Sequence, residues 1–272
     1  FNDLNGMQEV IVNNGFDEEQ KNNLLNSDRT YNHYTYENEI DNYQQDHYQF
    51  HYNYDLSSSS NFNLALHYTY GRGYYEQFRK NDLLSNYFND FENVYTNLVR
   101  RRWLDNDFYG FTYSYFKQTK KIELTIGGAY NIYKGDHFGK IISTGIPNMV
   151  FKNPYYLSKS DKKDRNIFIK YNITLSYKLK LFTDMQIRNY SHNSDGSDND
   201  RSVINFNSKN TFFNPKIGFN FKLNPKSNIY SSIAVANREP IRIDFLDSYE
   251  KPKHETLYDF EFGYNINYNF GF

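Results

Sequence analysis

The sequence predicts an all-β fold: an antiparallel, up-and-down transmembrane β-barrel that crosses the bilayer with its strands. Three observations carry this prediction. Mean hydropathy is −0.87, yet 19% of the 272 residues are aromatic, with 28 Tyr and 24 Phe, and a disordered polar chain lacks such residues. The aromatic and β-branched residues alternate with polar ones at period two, which sends successive side chains to opposite faces of a strand. Short and long connections also alternate, as in a meander with one tight end and one elaborated end.

Residues 2–43 read as loop, and the alternation starts at residue 45. Tyr48, Phe50, Tyr52 and Tyr54 share one face, opposed by Gln45, His47, Gln49, His51, Asn53 and Asp55. Phe62, Leu64, Leu66, Tyr68 and Tyr70 make the apolar face of the second strand, and Tyr109, Phe111, Tyr113 and Tyr115 that of the third. Ile122, Leu124, Ile126 and Tyr130 form the fourth, and Ile167, Ile169, Tyr171, Ile173, Leu175 and Tyr177 the fifth. Leu181, Met185 and Ile187 follow, then Ile217, Phe219, Phe221 and Leu223, then Ile229, Ile233 and Val235. Phe260, Phe262, Tyr264, Ile266 and Tyr268 close the series.

Short polar turns separate alternate pairs at Ser57–Ser60, Gln118–Lys121, Lys178–Lys180 and Asn224–Ser227, while long polar stretches fill 77–106, 134–163, 193–206 and 237–255. Strands of about ten residues suit a tilted membrane crossing better than a soluble sandwich, whose strands average about 5–6. Tyr at strand ends suits an aromatic girdle, where the ring meets lipid and the hydroxyl meets water. The apolar face then points to lipid and the Asn/Gln/Ser/Thr/His face to a wet lumen. A count of about nine to ten strands reads as part of a larger barrel with long extracellular loops, because single-chain bacterial barrels close with an even number.

Charge and composition exclude several function classes. Thirty-one basic against 32 acidic residues give a net charge of −1, without the basic face that nucleic acid requires. The absence of Cys removes disulfides, thiol catalysis and Cys-based zinc sites. No Gly-x-Ser-x-Gly or His-Glu-x-x-His arrangement occurs, so no enzyme, cofactor or metal site is expected.

Ligand contacts are sought at the elaborated end. Arg238, Glu239 and Arg242 follow a strand directly, and Arg matches anionic oxygens in a bidentate fashion; a loop-bracing network is the competing structural role. Tyr74 and Tyr75 are candidates for stacking on a ligand or for girdle duty. Arg100-Arg-Arg102 beside Trp103 reads as a cationic rim touching acidic lipopolysaccharide. His47, His51 and His67 read as polar lumen packing, and Asp195-Gly-Ser-Asp-Asn-Asp200 as a solvated loop tip rather than a calcium site.

Three stretches resemble the β-barrel of TonB-dependent outer-membrane receptors, particularly those of Bacteroidetes-type bacteria. The first joins Asp41-Asn-Tyr-Gln-Gln-Asp-His-Tyr-Gln-Phe-His51 to Asn63-Leu-Ala-Leu-His-Tyr-Thr-Tyr-Gly-Arg-Gly-Tyr-Tyr-Glu76. The second runs from Asn214-Pro-Lys-Ile-Gly-Phe-Asn-Phe-Lys222 into Ser231-Ser-Ile-Ala-Val-Ala-Asn-Arg-Glu-Pro-Ile-Arg-Ile-Asp-Phe245. The third is Lys251-Pro-Lys-His-Glu-Thr-Leu-Tyr-Asp-Phe-Glu-Phe-Gly263. The resemblance implies a bacterial outer-membrane location and active import of a scarce solute, energised by TonB. An iron–siderophore complex is the foremost cargo class, and cobalamin, haem or a glycan stay open. Partners implied are outer-membrane lipid and lipopolysaccharide, TonB through a plug region, and a small-molecule metal chelate. Members have a plug inside a barrel of 22 strands, so residues 1–272 read as a barrel segment from which the plug and the C-terminal strands are absent. Rival readings are a passive porin or adhesin barrel and a soluble carbohydrate-binding sandwich.

Overall fold

The computed structural model describes residues 16–27 and 36–267. Nine strands form one antiparallel sheet in sequence order: β1 (Asp41–Ser57), β2 (Ser60–Leu83), β3 (Tyr95–Gln118), β4 (Ile122–Thr144), β5 (Tyr156–Thr174), β6 (Leu179–Ser197), β7 (Val203–Asn224), β8 (Ser227–Arg238) and β9 (Glu255–Ile266). Among the described residues β1 pairs only with β2 and β9 only with β8, so the sheet is not closed. The predicted Tyr268 lies outside the described residues, as do residues 1–15, 28–35 and 269–272.

Register turns the alternation into a surface. Phe50 faces Leu66, Leu66 faces Phe111, and Phe111 faces Tyr130. One step along, Ile126 faces Ile169, Ile169 faces Met185, and on the far side Ile217 faces Ile233, which faces Phe260. A one-residue slip in any pair would bury this set and expose the polar one. The apolar side chains stay open to the surroundings: Ile187 is 51% exposed, Ile217 61% and Phe260 70%. A continuous belt of that kind, running across all nine strands, fits a lipid-facing surface.

The polar face is the concave one, since its side chains converge across non-neighbouring strands. Tyr43 of β1 donates to Asn106 of β3 at 2.8 Å, and His67 of β2 lies 2.9 Å from Asn131 of β4. Paired glycines in β4 let aromatic rings close in on both sides of the wall. A Cβ on Gly127 would meet Phe168 at 2.7 Å, and one on Gly128 would meet the Tyr113 hydroxyl at 2.9 Å.

Three of the four expected long loops prove to be mostly strand. β2 and β3 extend through most of 77–106, leaving 84–94 between them; β4 and β5 take most of 134–163, and β6 and β7 most of 193–206. The reason is physical: beyond the apolar belt charged residues occupy both faces, as in Lys159–Lys163 and Arg100–Arg102, so alternation is obscured while backbone pairing continues. The tight turn after β5 begins at Leu175, earlier than expected, because Ser176 Oγ accepts from the backbone of Lys178 and Leu179. Within the loop-like start stands a helix, α1 (Glu18–Ser27). Asp17 and Gln20 cap it reciprocally, each side chain accepting from the other's backbone N–H.

Candidate functional site

The connection from β8 to β9 folds over the concave face and includes a short helix, α2 (Arg242–Asp247). Glu239 anchors it. Its Oε1 accepts from Lys162 of β5 and, at 3.0 Å, from Arg188 of β6, and Arg188 also grips Asp164. Burial works against ionisation of Glu239, but Lys162 and Arg188 outweigh it and hold the carboxyl below its usual range. Arg242 Nη2 donates to Ser158 Oγ at 3.3 Å and pairs with Asp198 at 3.3 Å, while its Nε is buried without a partner. Phe245 of α2 stacks on Phe206 of β7 with centroids 4.2 Å apart.

Ser158 sits opposite His137 in the register, which continues the site towards β1. His137 lines a pocket of about 350 Å³ with Tyr43, Tyr75, Arg102, Tyr156 and Trp103. The Arg102 guanidinium lies 5.1 Å from the Tyr75 ring centroid, and its Nε is also buried and unpartnered. Cations backed by tyrosines along a concave wall can take an anionic, aromatic guest.

The five sequence candidates separate. Glu239 and Arg242 both reach the concave face, with separate partners, and Tyr75 borders the adjoining pocket. Tyr74 also borders that pocket, but its ring alternates to the other side of the wall, packed on Trp103 at 4.5 Å with the Arg101 guanidinium 4.1 Å from its centroid. Arg238 pairs with Glu255 at 3.4 Å at the exposed β8–β9 margin. Sequence reasoning missed Lys162, Arg188, His137 and Tyr156. Counting back from the tight turns gives the register that groups Asp41 with Tyr75, and Arg102 with Gly139 and Tyr156.

The Arg100–Arg102 run is not a free rim. Arg100 donates to Gln77 and reaches the Tyr87 hydroxyl and Asn199, Arg101 pairs with buried Glu76 at 2.6 Å, and Arg102 stands in the pocket. Nor is the 195–200 segment a free tip: Asp198 binds Arg242, and Asn199 Oδ1 accepts from Tyr155 at 3.0 Å. Arg201 donates to Ser85 O at 2.9 Å and to Asn89. Beneath these contacts lies a small apolar core of Leu84, Tyr87, Leu98, Ile141, Tyr155 and Tyr156. Burial, aided by the Asp82 carboxylate, pushes the Tyr87 phenol up to about 12. His47, His51 and His67 each have one polar neighbour, Thr69, Gln49 and Asn131 respectively. Among the described residues no three His, Asp or Glu side chains group to hold a metal ion.

An antiparallel meander with an apolar belt outside, a polar concave face inside and loops packed over one end is the wall of an outer-membrane β-barrel. This chain belongs to the family described as TonB dependent receptor-like, beta-barrel, whose model matches residues 2–272. Members of that family are outer-membrane transporters, not enzymes. The fold is similar to that of Fiu, the ferric-catecholate import receptor from K12 E. coli, in its closed form: TM-score 0.62, 12% identity, 87% of this chain and 40% of that one. The copper transporter OprC gives TM-score 0.62 and 12% identity over 84% of this chain and 36% of its own. BauA, the ferric preacinetobactin receptor from Acinetobacter baumannii, gives TM-score 0.51 and 11% identity over 83% and 35%. The chain thus spans well under half the length of each. No curated protein matches the sequence.

Proposed function

We propose that this chain forms part of the barrel of a receptor that imports an anionic metal chelate, foremost an iron–siderophore complex, with energy supplied through TonB. The working barrel in this reading carries further strands that pair with β1 and β9, and a plug that fills the lumen. One observation carries the cargo class. Arg102 and Arg242, on the concave face beneath the loops, each hold a buried Nε without a partner, beside Tyr75, Tyr156 and His137. A catecholate or carboxylate chelate brings oxygens for the guanidinium groups and, in the first case, rings for the tyrosines. The fold shared with Fiu, a ferric-catecholate import receptor, and BauA, a ferric preacinetobactin receptor, supports the class by analogy alone.

The test is direct binding of ferric chelates to the intact protein in detergent, with cation-free and neutral chelates as controls. Arg102→Gln and Arg242→Gln are each expected to weaken binding of an anionic chelate by about 10- to 100-fold, the usual range for losing a hydrogen bond to a charged group. Unchanged affinity in both variants, or equal binding of a neutral chelate, defeats the proposal.

A further inference from the structure

At its tight-turn end the concave wall carries positive charge without a partner. A basin of about 540 Å³ opens there, bounded by the β3–β4 turn and by the adjoining ends of β5, β6 and β7. Four lysines line it, Lys120, Lys121, Lys180 and Lys222, against one carboxylate, Glu123. Alternation sends Lys180 and Lys222 into the lumen, because their neighbours Leu181 and Phe221 belong to the apolar face. Lys180 faces Asn220, two residues short of Lys222, so the two backbones lie roughly 8 Å apart on the diagonal. Thr174, which faces Lys180, donates its backbone N–H to the Lys121 carbonyl at 2.8 Å. Lys121 therefore stands two strands, roughly 10 Å, from Lys180.

Lys121, Lys180 and Lys222 are exposed, and none of them forms an ion pair among the described residues. Between them stand Asn172, Thr174 and Asn220, amides and a hydroxyl in place of acids. Higher on the same wall the cations are matched: Lys162 and Arg188 by Glu239 and Asp164, Lys170 by Asp184 at 3.6 Å, and Lys216 by Glu261 at 3.6 Å. The lining thus changes from paired charges to an excess of cations as the wall nears its tight turns. A lysine that merely solvates a turn sits at the tip, as Lys226 does, whereas Lys180 and Lys222 lie within β6 and β7 and project inward.

We propose that Lys121, Lys180 and Lys222 form an exit-side station for the cargo, a site for a multiply charged anion at the mouth through which the solute leaves the barrel. The inference rests on the anionic-cargo reading above. Short turns of an outer-membrane barrel face the periplasm, so a guest taken up at Arg102 and Arg242 meets this basin last. A cleft lined by one sign of charge raises the local concentration of the opposite ion by about tenfold or more. The choice of cation suits the place: arginine forks grip oxygens in a fixed geometry at the entry, while the strongly hydrated ammonium groups at the exit attract without holding.

The chain has no Cys, so N172C sets a thiol in the basin for a fluorophore. The intact labelled protein in neutral detergent is titrated with a ferric tris(catecholate), with inorganic pyrophosphate and with a neutral ferric trihydroxamate. The two anions are expected to shift the signal saturably, and the neutral chelate to leave it unchanged. K180Q/K222Q should weaken both anions about tenfold, K180R/K222R should keep them, and the difference should shrink as salt rises. K226Q, outside the basin, should change nothing. Circular dichroism checks folding, and if the double variant misfolds, K222Q alone is expected to lose roughly threefold. Undiminished binding by the glutamine variants overturns the proposal, as does equal binding of the neutral chelate. Pyrophosphate binding without the tris(catecholate) also overturns it, leaving a small-anion site with no part in transport. So does a thiol at 172 that no reagent reaches in the folded protein, since a protein segment then fills the basin. The cargo reading fails separately, through Arg102→Gln and Arg242→Gln, which should leave the basin signal unchanged.

Discussion

Ile169 offers the sharpest contrast between the two faces of the wall. It projects outward, 37% exposed, between Ile126 of β4 and Met185 of β6. The outward apolar run of β5 extends from Ile167 to Ile173, so Ile169 lies one residue, about 3.3 Å along the strand, from its centre. At that depth a cation on the lipid side has no carboxylate to pair with, since its neighbours on that face are Ile126, Ile167, Tyr171, Thr183 and Met185. Ile169→Arg is therefore expected to destabilise the protein by about 2–4 kcal/mol, the cost of Arg near the midplane on the lipid face of a barrel. The adjoining position already shows the opposite outcome on the concave face: Lys170 stands there, 3.6 Å from Asp184. Asn172→Arg, on the same concave face, should change stability by less than about 1 kcal/mol. The assay is urea-dependent refolding of the intact protein into lipid vesicles, followed by heat-modifiable gel mobility. If the two variants shift the midpoint equally, or if Asn172→Arg is the worse, the assignment of faces is wrong.

Glu239→Gln removes the anchor of the β8–β9 connection and should raise the proteolysis rate of 239–254 several-fold, with belt stability unchanged. In the wild type the same loosening should follow acidification: a depressed carboxyl contributes stability above its unfolded value of 4.5, and that contribution fades as pH falls below it through the folded value. Phe245→Ala should cost about 1 kcal/mol of local stability from the lost ring pair with Phe206, read as faster hydrogen exchange in α2. For Tyr87 the sign is reversed. Its raised phenol contributes stability fully present below pH 10 and lost as pH rises towards about 12, so its ultraviolet ionisation should come late, and Tyr87→Phe should remove that component.

The faces of the sheet were legible in the sequence because each strand borders two chemically different media. Phe50, Leu66 and Phe111 were readable as one face before any register was known, and the tight turns then fix the register itself. Strand length was not legible above the belt. Lys159–Asp164 is charged at five of its six positions, and Arg100–Arg102 is an unbroken run of arginines, so neither shows an alternation that would distinguish ladder from loop. The site was legible in part. Arg242 and Glu239 stood out as charges following a strand, but their partners Lys162, Arg188 and Asp198 are 44–77 residues away in sequence, and only the folding back of the β8–β9 connection unites them. Tyr74 and Tyr75 illustrate the same limit at close range. Parity alone separates them, and the sense of that parity is set by Trp103 and Arg102 on the next strand.

The loops over the open end form one linked series. Arg242 of the β8–β9 connection holds Asp198 of the β6–β7 turn; Asn199 beside it accepts from Tyr155 of the β4–β5 loop, and Arg201 donates to Ser85 and Asn89 of the β2–β3 loop. Each link is a polar contact that a competing group can replace. A guest whose oxygens draw Arg242 away from Asp198 therefore loosens the turn that fastens the other two loops. By reciprocity, a crown that is already loose admits that guest more readily. Under the proposed function, cargo recognition and the opening of the mouth would draw on the same few hydrogen bonds.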